Sequence, residues 1–130
     1  MTILTIRTDK PESEIGLYDG NKQLAYIVWP AHRQLAETLH IKIEELLKSK
    51  AMSWQDIKGV LVYEGPGSFT GLRIGITVAN VLSYSLGAPI VGAKSEGWLG
   101  NGIDMLIKGK DAKQVIPFYG AEAIITTPKK

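Results

Sequence analysis

Residues Lys58 to Gly65 read KGVLVYEG, a continuous apolar run between turn residues, and a glycine–proline–glycine turn begins at its end. A strand without polar alternation suits the centre of a sheet, where both faces are buried. The chain then turns through GPGS into FTGLRIGITVANVLSYSL, whose one charged residue is Arg73. This segment reads as a long helix from Phe69 or Thr70 to Leu86, with Gly87 as its C-cap and Pro89 blocking continuation. Leu72, Ile76, Ala79, Leu82 and Leu86 form one apolar stripe on it; Ile74, Val78 and Val81, with Ser85, form a second on a different face. A surface helix needs one apolar face, so this one is expected to be covered on two sides, by a sheet and by something else. Gly71, Gly75 and Ala79 recur every four residues and would let another helix approach closely. Pattern alone leaves open whether that helix belongs to this chain or to another protein.

The flanking segments supply the other elements. Ile3 to Thr8 is rich in β-branched residues and reads as a strand. Glu14 to Gly20 reads as a second and Lys22 to Pro30 as a third, joined by a hairpin at Asp19-Gly20-Asn21. In AHRQLAETLHIKIEELLKSK, residues Leu35, Leu39, Ile43 and Leu46/Leu47 recur at helical spacing and predict an amphipathic helix of about four turns. SWQD begins a short helical turn with Ser53 as N-cap, and PIVGA is a short buried strand. The stretch KSEGWLGNGIDMLIKGK predicts a further helix capped by Ser95, weakened by Gly97, Gly100 and Gly102. KQVIPFYGAEAIITTPKK predicts a short strand, a turn and a last strand or extended tail. The order β-β-β-α-β-α-β, with a weakly predicted C-terminal segment, is mixed α/β; helical crossovers favour parallel pairing. That is one lobe of an actin-like or ribonuclease H-like fold.

The chemistry is sparse. The glycine turn lacks the lysine and hydroxyl of a Walker A loop. It also lacks the third glycine of a dinucleotide fingerprint, since position 70 is threonine. Gly67, Ser68, Phe69 and Thr70 could offer backbone amides to an anion at the helix N-terminus; the competing reading is that Ser68 or Thr70 simply caps the helix. His32 and His40 lie about 12 Å apart along a helix axis and cannot share a metal. Asp9, Glu64 and Glu96 have no linking spacing, and capping or pairing with Arg73 accounts for Glu64 without catalysis. No metal site, cofactor or catalytic set is read from these residues.

Composition excludes several classes. With 130 residues, 45% apolar, the chain fits one domain with a real core. The absence of cysteine removes disulfides and thiol chemistry. A net charge of +2, partly carried by Lys129 and Lys130, is modest for a self-contained nucleic-acid binder. No run approaches a membrane span, and the N-terminal apolar run is short for a signal peptide. The expectation is a soluble, cytoplasmic chain without a membrane role.

GPGSFTGLRIGI, Gly65 to Ile76, resembles the signature of the bacterial TsaB (YeaZ) family continuously over twelve residues. EIGLYDGNKQLAY is similar to that family's second and third strands, and ETLHIKIEELL to its first helix; the resemblance spans about Ile3 to Ala93. It implies a TsaB-like N-terminal lobe over residues 1–130, of actin-like (ASKHA) type, without the family's second lobe. A naturally reduced form and a piece of a longer chain both stay open. It implies a non-catalytic subunit that stabilises a TsaD-like catalytic subunit in tRNA threonylcarbamoyladenosine modification, with a TsaE-like ATPase as a further partner, tRNA met only through the complex, and a homodimer as the alternative pairing. The two long helices would supply the partner surface: Leu39, Ile43, Leu47, Gly71, Ile74, Gly75, Val78, Ala79 and Leu82. The competing function is a nucleotide-binding or peptidase-like enzyme. Two departures stand out. The family's Ile-Asp-Thr-Ser is here Ile6-Arg7-Thr8-Asp9, which puts arginine where actin-like ATPases handle metal and phosphate. The first helix has Leu35-Ala36 in place of a His-Ser pair.

Overall fold

The computed structural model describes residues 1–31 and 34–118. Its elements in chain order are β1 (Thr2–Arg7), β2 (Glu12–Asp19), β3 (Lys22–Pro30), α1 (Leu35–Ser49), a 3-10 turn (Trp54–Asp56), β4 (Gly59–Gly65), α2 (Phe69–Leu86), β5 (Ile90–Lys94) and α3 (Trp98–Ile107). The five strands form one mixed sheet in the order β3-β2-β1-β4-β5. β1 pairs antiparallel with β2, and β2 with β3. β4 pairs in parallel with β1 and β5. The first three strands can meander because Gly20, at φ 57, supports a two-residue turn with Asp19 opposite Lys22. The parallel pairs are those whose connections carry helices.

Alternation along the strands sorts the two faces. Ile3 and Thr5 of β1 stand level with Gly59 and Leu61 of β4. This side meets α3: a Cβ on Gly102 would strike Leu61, one on Gly59 would meet Leu106, and the rings of Tyr63 and Trp98 cross edge to face at 5.6 Å. The opposite side carries α1 and α2. Trp29 donates from Nε1 to Thr38 Oγ1 of α1 at 3.2 Å. Leu4, Ile6, Ile15, Leu17, Leu39, Ile43, Leu72 and Ala79 are all fully buried. Burying each such aliphatic side chain contributes roughly 1.5–3 kcal/mol, so β4 sits in a helix–sheet–helix sandwich, as its continuous apolar run requires.

Several local expectations need correction. α2 ends on Gly87, which is left-handed at φ 64, but no side chain caps its N-terminus: Ser68 occupies the cap position without a side-chain hydrogen bond. α3 starts after Gly97, not at Ser95, which itself has φ 62. Residues 114–118 form no ladder strand. They are pinned by Asn80 of α2, whose amide donates to the Val115 carbonyl at 3.0 Å and accepts from the Val115 N–H at 2.9 Å. A second tie runs from the Phe118 N–H to the Glu64 carbonyl at 2.7 Å. A side-chain amide here takes the place of a neighbouring strand, which no local pattern in the sequence announces. The last predicted strand lies outside the described residues.

Candidate functional site at the head of the second helix

The candidate site lies where β1 and β4 end and α1 and α2 begin. β1 delivers Arg7, Thr8 and Asp9 in succession. Arg7 donates from Nε to Asp9 Oδ1 at 2.7 Å and from Nη2 to Oδ2 at 3.3 Å. Its guanidinium also stacks 3.9 Å from the centre of the Tyr63 ring. The side chains are 19% and 7% exposed, so the pair is largely screened from water. Burial works against the guanidinium charge, but the hydrogen bond and charge of Asp9 outweigh it and hold Arg7 above its ordinary value. Both Asp9 carboxylate oxygens are therefore engaged by Arg7.

Thr8 points to the other side of the sheet and organises α2. Its hydroxyl donates to the Gly71 carbonyl at 2.7 Å. A Cβ on Gly71 would strike the Thr8 backbone oxygen, and one on Gly75 would strike the Thr8 hydroxyl. These two glycines serve a close approach of α2 to the end of β1. The loop Gly65–Ser68 is fitted just as tightly. Gly65 has φ 133, a conformation that L side chains rarely adopt. A Cβ on Gly67 would collide with Asp9, and the Ser68 N–H donates to the Asp9 carbonyl at 3.2 Å.

Two adjoining openings remain on this surface. One, of about 440 Å3, is bounded by Thr8, Lys10, Ser13, Leu35, Ser68 and Thr70, among others. The second, of about 360 Å3, is a groove along α1 and α2 lined by Ala36, Thr70, Arg73, Ile74, Thr77 and Val78. Thr70 and Ile74 belong to both.

The expected partner surface is thus only partly a surface. Leu39, Ile43, Leu47 and Ala79 are buried inside this chain. Gly71 and Gly75 face Thr8, and Leu82 is half-buried against the core. Ile74 and Val78 do reach the groove. Of the expected anion loop, Gly67 packs on Asp9, Ser68 and Thr70 line the larger opening, and Phe69 is 55% exposed with the Arg73 guanidinium 5.5 Å from its ring centre. Arg73 stacks there and does not pair with Glu64, whose neighbouring cation is Lys94. Burial raises Glu64 above the usual carboxylate range, and Lys94 offsets this only in part. Asp9, Glu64 and Glu96 are not brought together, and the described residues contain no group of three or more His, Cys, Asp or Glu able to hold a metal. His32 lies outside the described residues, and His40 is exposed.

The sequence reading missed Ser13, Lys10 and Tyr63. Ser13 carried a usable signal: it shares a face of β2 with Ile15 and Leu17, so its hydroxyl is directed into the core. Tyr63 gave none, because its role depends on Arg7 arriving above its ring.

The chain matches the family model described as TsaD, tRNA N6-adenosine threonylcarbamoyltransferase, over residues 29–106. It is similar to the tRNA threonylcarbamoyladenosine biosynthesis protein TsaB of Bacillus subtilis, with 34% identity over 73% of this chain and 42% of that protein. The TsaB of Escherichia coli shares 28% identity over 87% of this chain and 51% of its own length. The tRNA N6-adenosine threonylcarbamoyltransferase of Geotalea uraniireducens shares 40% identity over 48% of this chain and 18% of its own. The chain therefore spans about half or less of the curated relatives it matches. Among solved structures, YeaZ from Pseudomonas aeruginosa aligns with a TM-score of 0.63 and 28% identity, covering 72% of this chain and 43% of that one. The RuvC of T. thermophilus, at 16% identity and a TM-score of 0.52, shares the fold alone. The architecture is the mixed α/β lobe of the actin-like, ribonuclease H-like kind.

Proposed function

The chain belongs to the tRNA N6-adenosine threonylcarbamoyltransferase family, among its TsaB (YeaZ) members, and from that premise we propose that it is a non-catalytic partner subunit in tRNA threonylcarbamoyladenosine biosynthesis. It corresponds to one lobe of its longer relatives and docks a TsaD-type catalytic subunit through the groove between α1 and α2. The observation that carries this reading is the outer face of α2. Ile74 and Val78 are only partly buried and Val81 is 58% exposed, in a row broken by hydroxyls but by no acid. A second helix laid on that face would bury them at roughly 1.5–3 kcal/mol for each large apolar side chain.

The engagement of Asp9 by Arg7 supports the non-catalytic part of the proposal, because a carboxylate already neutralised by a stacked guanidinium is a poor ligand for a magnesium–phosphate complex. The similar proteins of Bacillus subtilis and Escherichia coli are tRNA threonylcarbamoyladenosine biosynthesis proteins; for this chain, contact with tRNA would come through the assembled complex, in the cytoplasm. No helix among the described residues is long and apolar enough to cross a membrane.

The test is affinity for the TsaD-type subunit of the same host, measured by biolayer interferometry with wild type and with Ile74→Asp/Val78→Asp. The double variant is expected to weaken binding by about 100-fold or more, as two charges are forced into an apolar contact. Undiminished binding would remove α2 from the interface, and no binding by wild type at micromolar concentrations would remove the partner role. Magnesium-dependent micromolar binding of ATP by the isolated chain would instead favour the enzyme reading.

A further inference from the structure

We infer that the opening at the outer edge of β5 is a binding site for a small organic amine, a primary ammonium group carried on an apolar stem. β5 is an edge strand of the sheet, and residues 110–116 run past it after α3. The Ala112 N–H donates to the Ile90 carbonyl at 2.7 Å and pins that segment to the start of the strand. Beside this pin lies a space of about 450 Å3, bounded by Val91, Met105, Val115 and Ile116. Glu64 and Gly92 share its wall. The Glu64 side chain leaves β4 and crosses over Gly92, where a Cβ would strike both its carboxylate and Val115. The glycine therefore makes room for a carboxylate at the edge of the sheet.

That carboxylate lacks a partner. Among the described residues no hydrogen bond reaches it, and its neighbouring cation, Lys94, lies instead 4.2 Å from the centre of the Phe118 ring. A charge held half-buried costs stability until it is paired and hydrogen-bonded, and burial accordingly raises Glu64 above the usual carboxylate range. The surroundings select the cation. A magnesium or calcium ion needs about six or more oxygen ligands. Here Asp111 Oδ1 already accepts from the Ile90 N–H at 3.1 Å and the Lys113 N–H at 2.9 Å, and much of the wall is aliphatic. An ammonium on an apolar stem meets both conditions. Its N–H groups donate to Glu64 as charge-assisted bonds, while the stem covers Met105, Val115 and Ile116. Gly92 adds an acceptor: two residues past Ile90, it directs its carbonyl to the same outer side of the strand. Lys110, the one cation on the wall, is exposed, so water and salt screen it, and Asp111 offsets it. The opening shares no residue with the groove between α1 and α2, so the site stands or falls apart from the partner role.

The experiment is an amide NMR titration of the chain with 2-phenylethylammonium chloride, against ammonium chloride and 2-phenylethanol at matched ionic strength. Saturable shifts are expected across Val91 to Ala93 and at Val115 and Ile116. The amine should bind at least about tenfold more tightly than ammonium, which has no stem to cover the wall, and than the alcohol, which brings no charge to the carboxylate. Glu64→Gln should weaken binding about tenfold or more; it removes an unpaired charge, so an unchanged or raised Tm will show that the fold is kept. Ile116→Ser, at a position 71% exposed, should weaken it about threefold through the stem alone. Shifts that fail to saturate, or that ammonium or the alcohol reproduces at equal concentration, would overturn the site. Wild-type affinity in Glu64→Gln would do the same, and wild-type affinity in Ile116→Ser would overturn the apolar stem.

Discussion

The two apolar sides of α2 look alike in sequence and differ entirely in the fold. On one, Leu72, Ile76 and Ala79 are 0–3% exposed, and Gly75 is pressed against Thr8. On the other, Ile74 and Val78 are half-covered, Val81 is 58% exposed and Tyr84 is 90% exposed. The inner side is tied to β1 by backbone contact and by the Thr8 hydroxyl on Gly71; the outer is grazed by α1 and otherwise open. Hydrophobicity therefore says that a face is available for burial but not what buries it. The small residues separate the two sides. Gly71 and Gly75 lie on the inner one, where a strand end comes too close for any Cβ.

The sharpest way to break this contrast is Gly75→Leu. Its Cβ would overlap Thr8, and the rest of the side chain would have to enter a filled core. A loss of about 3 kcal/mol or more is expected, a large part of the 5–15 kcal/mol that ordinary domains possess. Loss of the cooperative urea transition would check it, whereas native stability would show that Gly75 faces open space. A matched pair sharpens the same point. Ile76→Ala on the inner side should cost roughly 2–5 kcal/mol, and Val78→Ala on the outer side under about 1 kcal/mol in the isolated chain. Equal shifts in urea midpoint would mean that both sides are core.

The smallest effect concerns a second contrast, between Asp9 with its bidentate arginine and Glu64 without a hydrogen-bonded cation. Burial raises Glu64 in the folded state. The folded protein then holds the Glu64 proton more tightly than the unfolded chain, so stability falls as pH rises from the ordinary carboxylate value through the raised one. Glu64→Gln should therefore be more stable than wild type at neutral pH, and the difference should vanish in acid below about pH 4. A constant difference across the pH range would mean that Glu64 is not desolvated.

Much of this was readable from local pattern. The Asp19-Gly20-Asn21 hairpin, the continuous run of β4 and the helical spacing of apolar residues in α1 each state their own structure, because turn chemistry and periodicity act within a few residues. The site was less legible. Lys10, Ser13, Ser68 and Thr70 meet only because β1, β2 and α2 converge, and their separation in sequence conceals this. Asn80 is similar: a half-buried polar residue on α2 had no visible purpose until Val115 ran past it.

By itself, the sequence determined the elements, their order and the apolar faces that had to be buried, since these follow from short-range sterics and solvent exclusion. It also carried the GPGSFTGLRIGI signature that its relatives share. Only the tertiary structure decided which residues were consumed by the chain's own core. Leu39, Ile43, Gly71, Gly75 and Ala79 all carry the marks of a partner surface, yet each is used internally. The physical reason is that close packing is a property of neighbours brought together from distant parts of the chain: a glycine bares its helix to whatever arrives, and here that was Thr8.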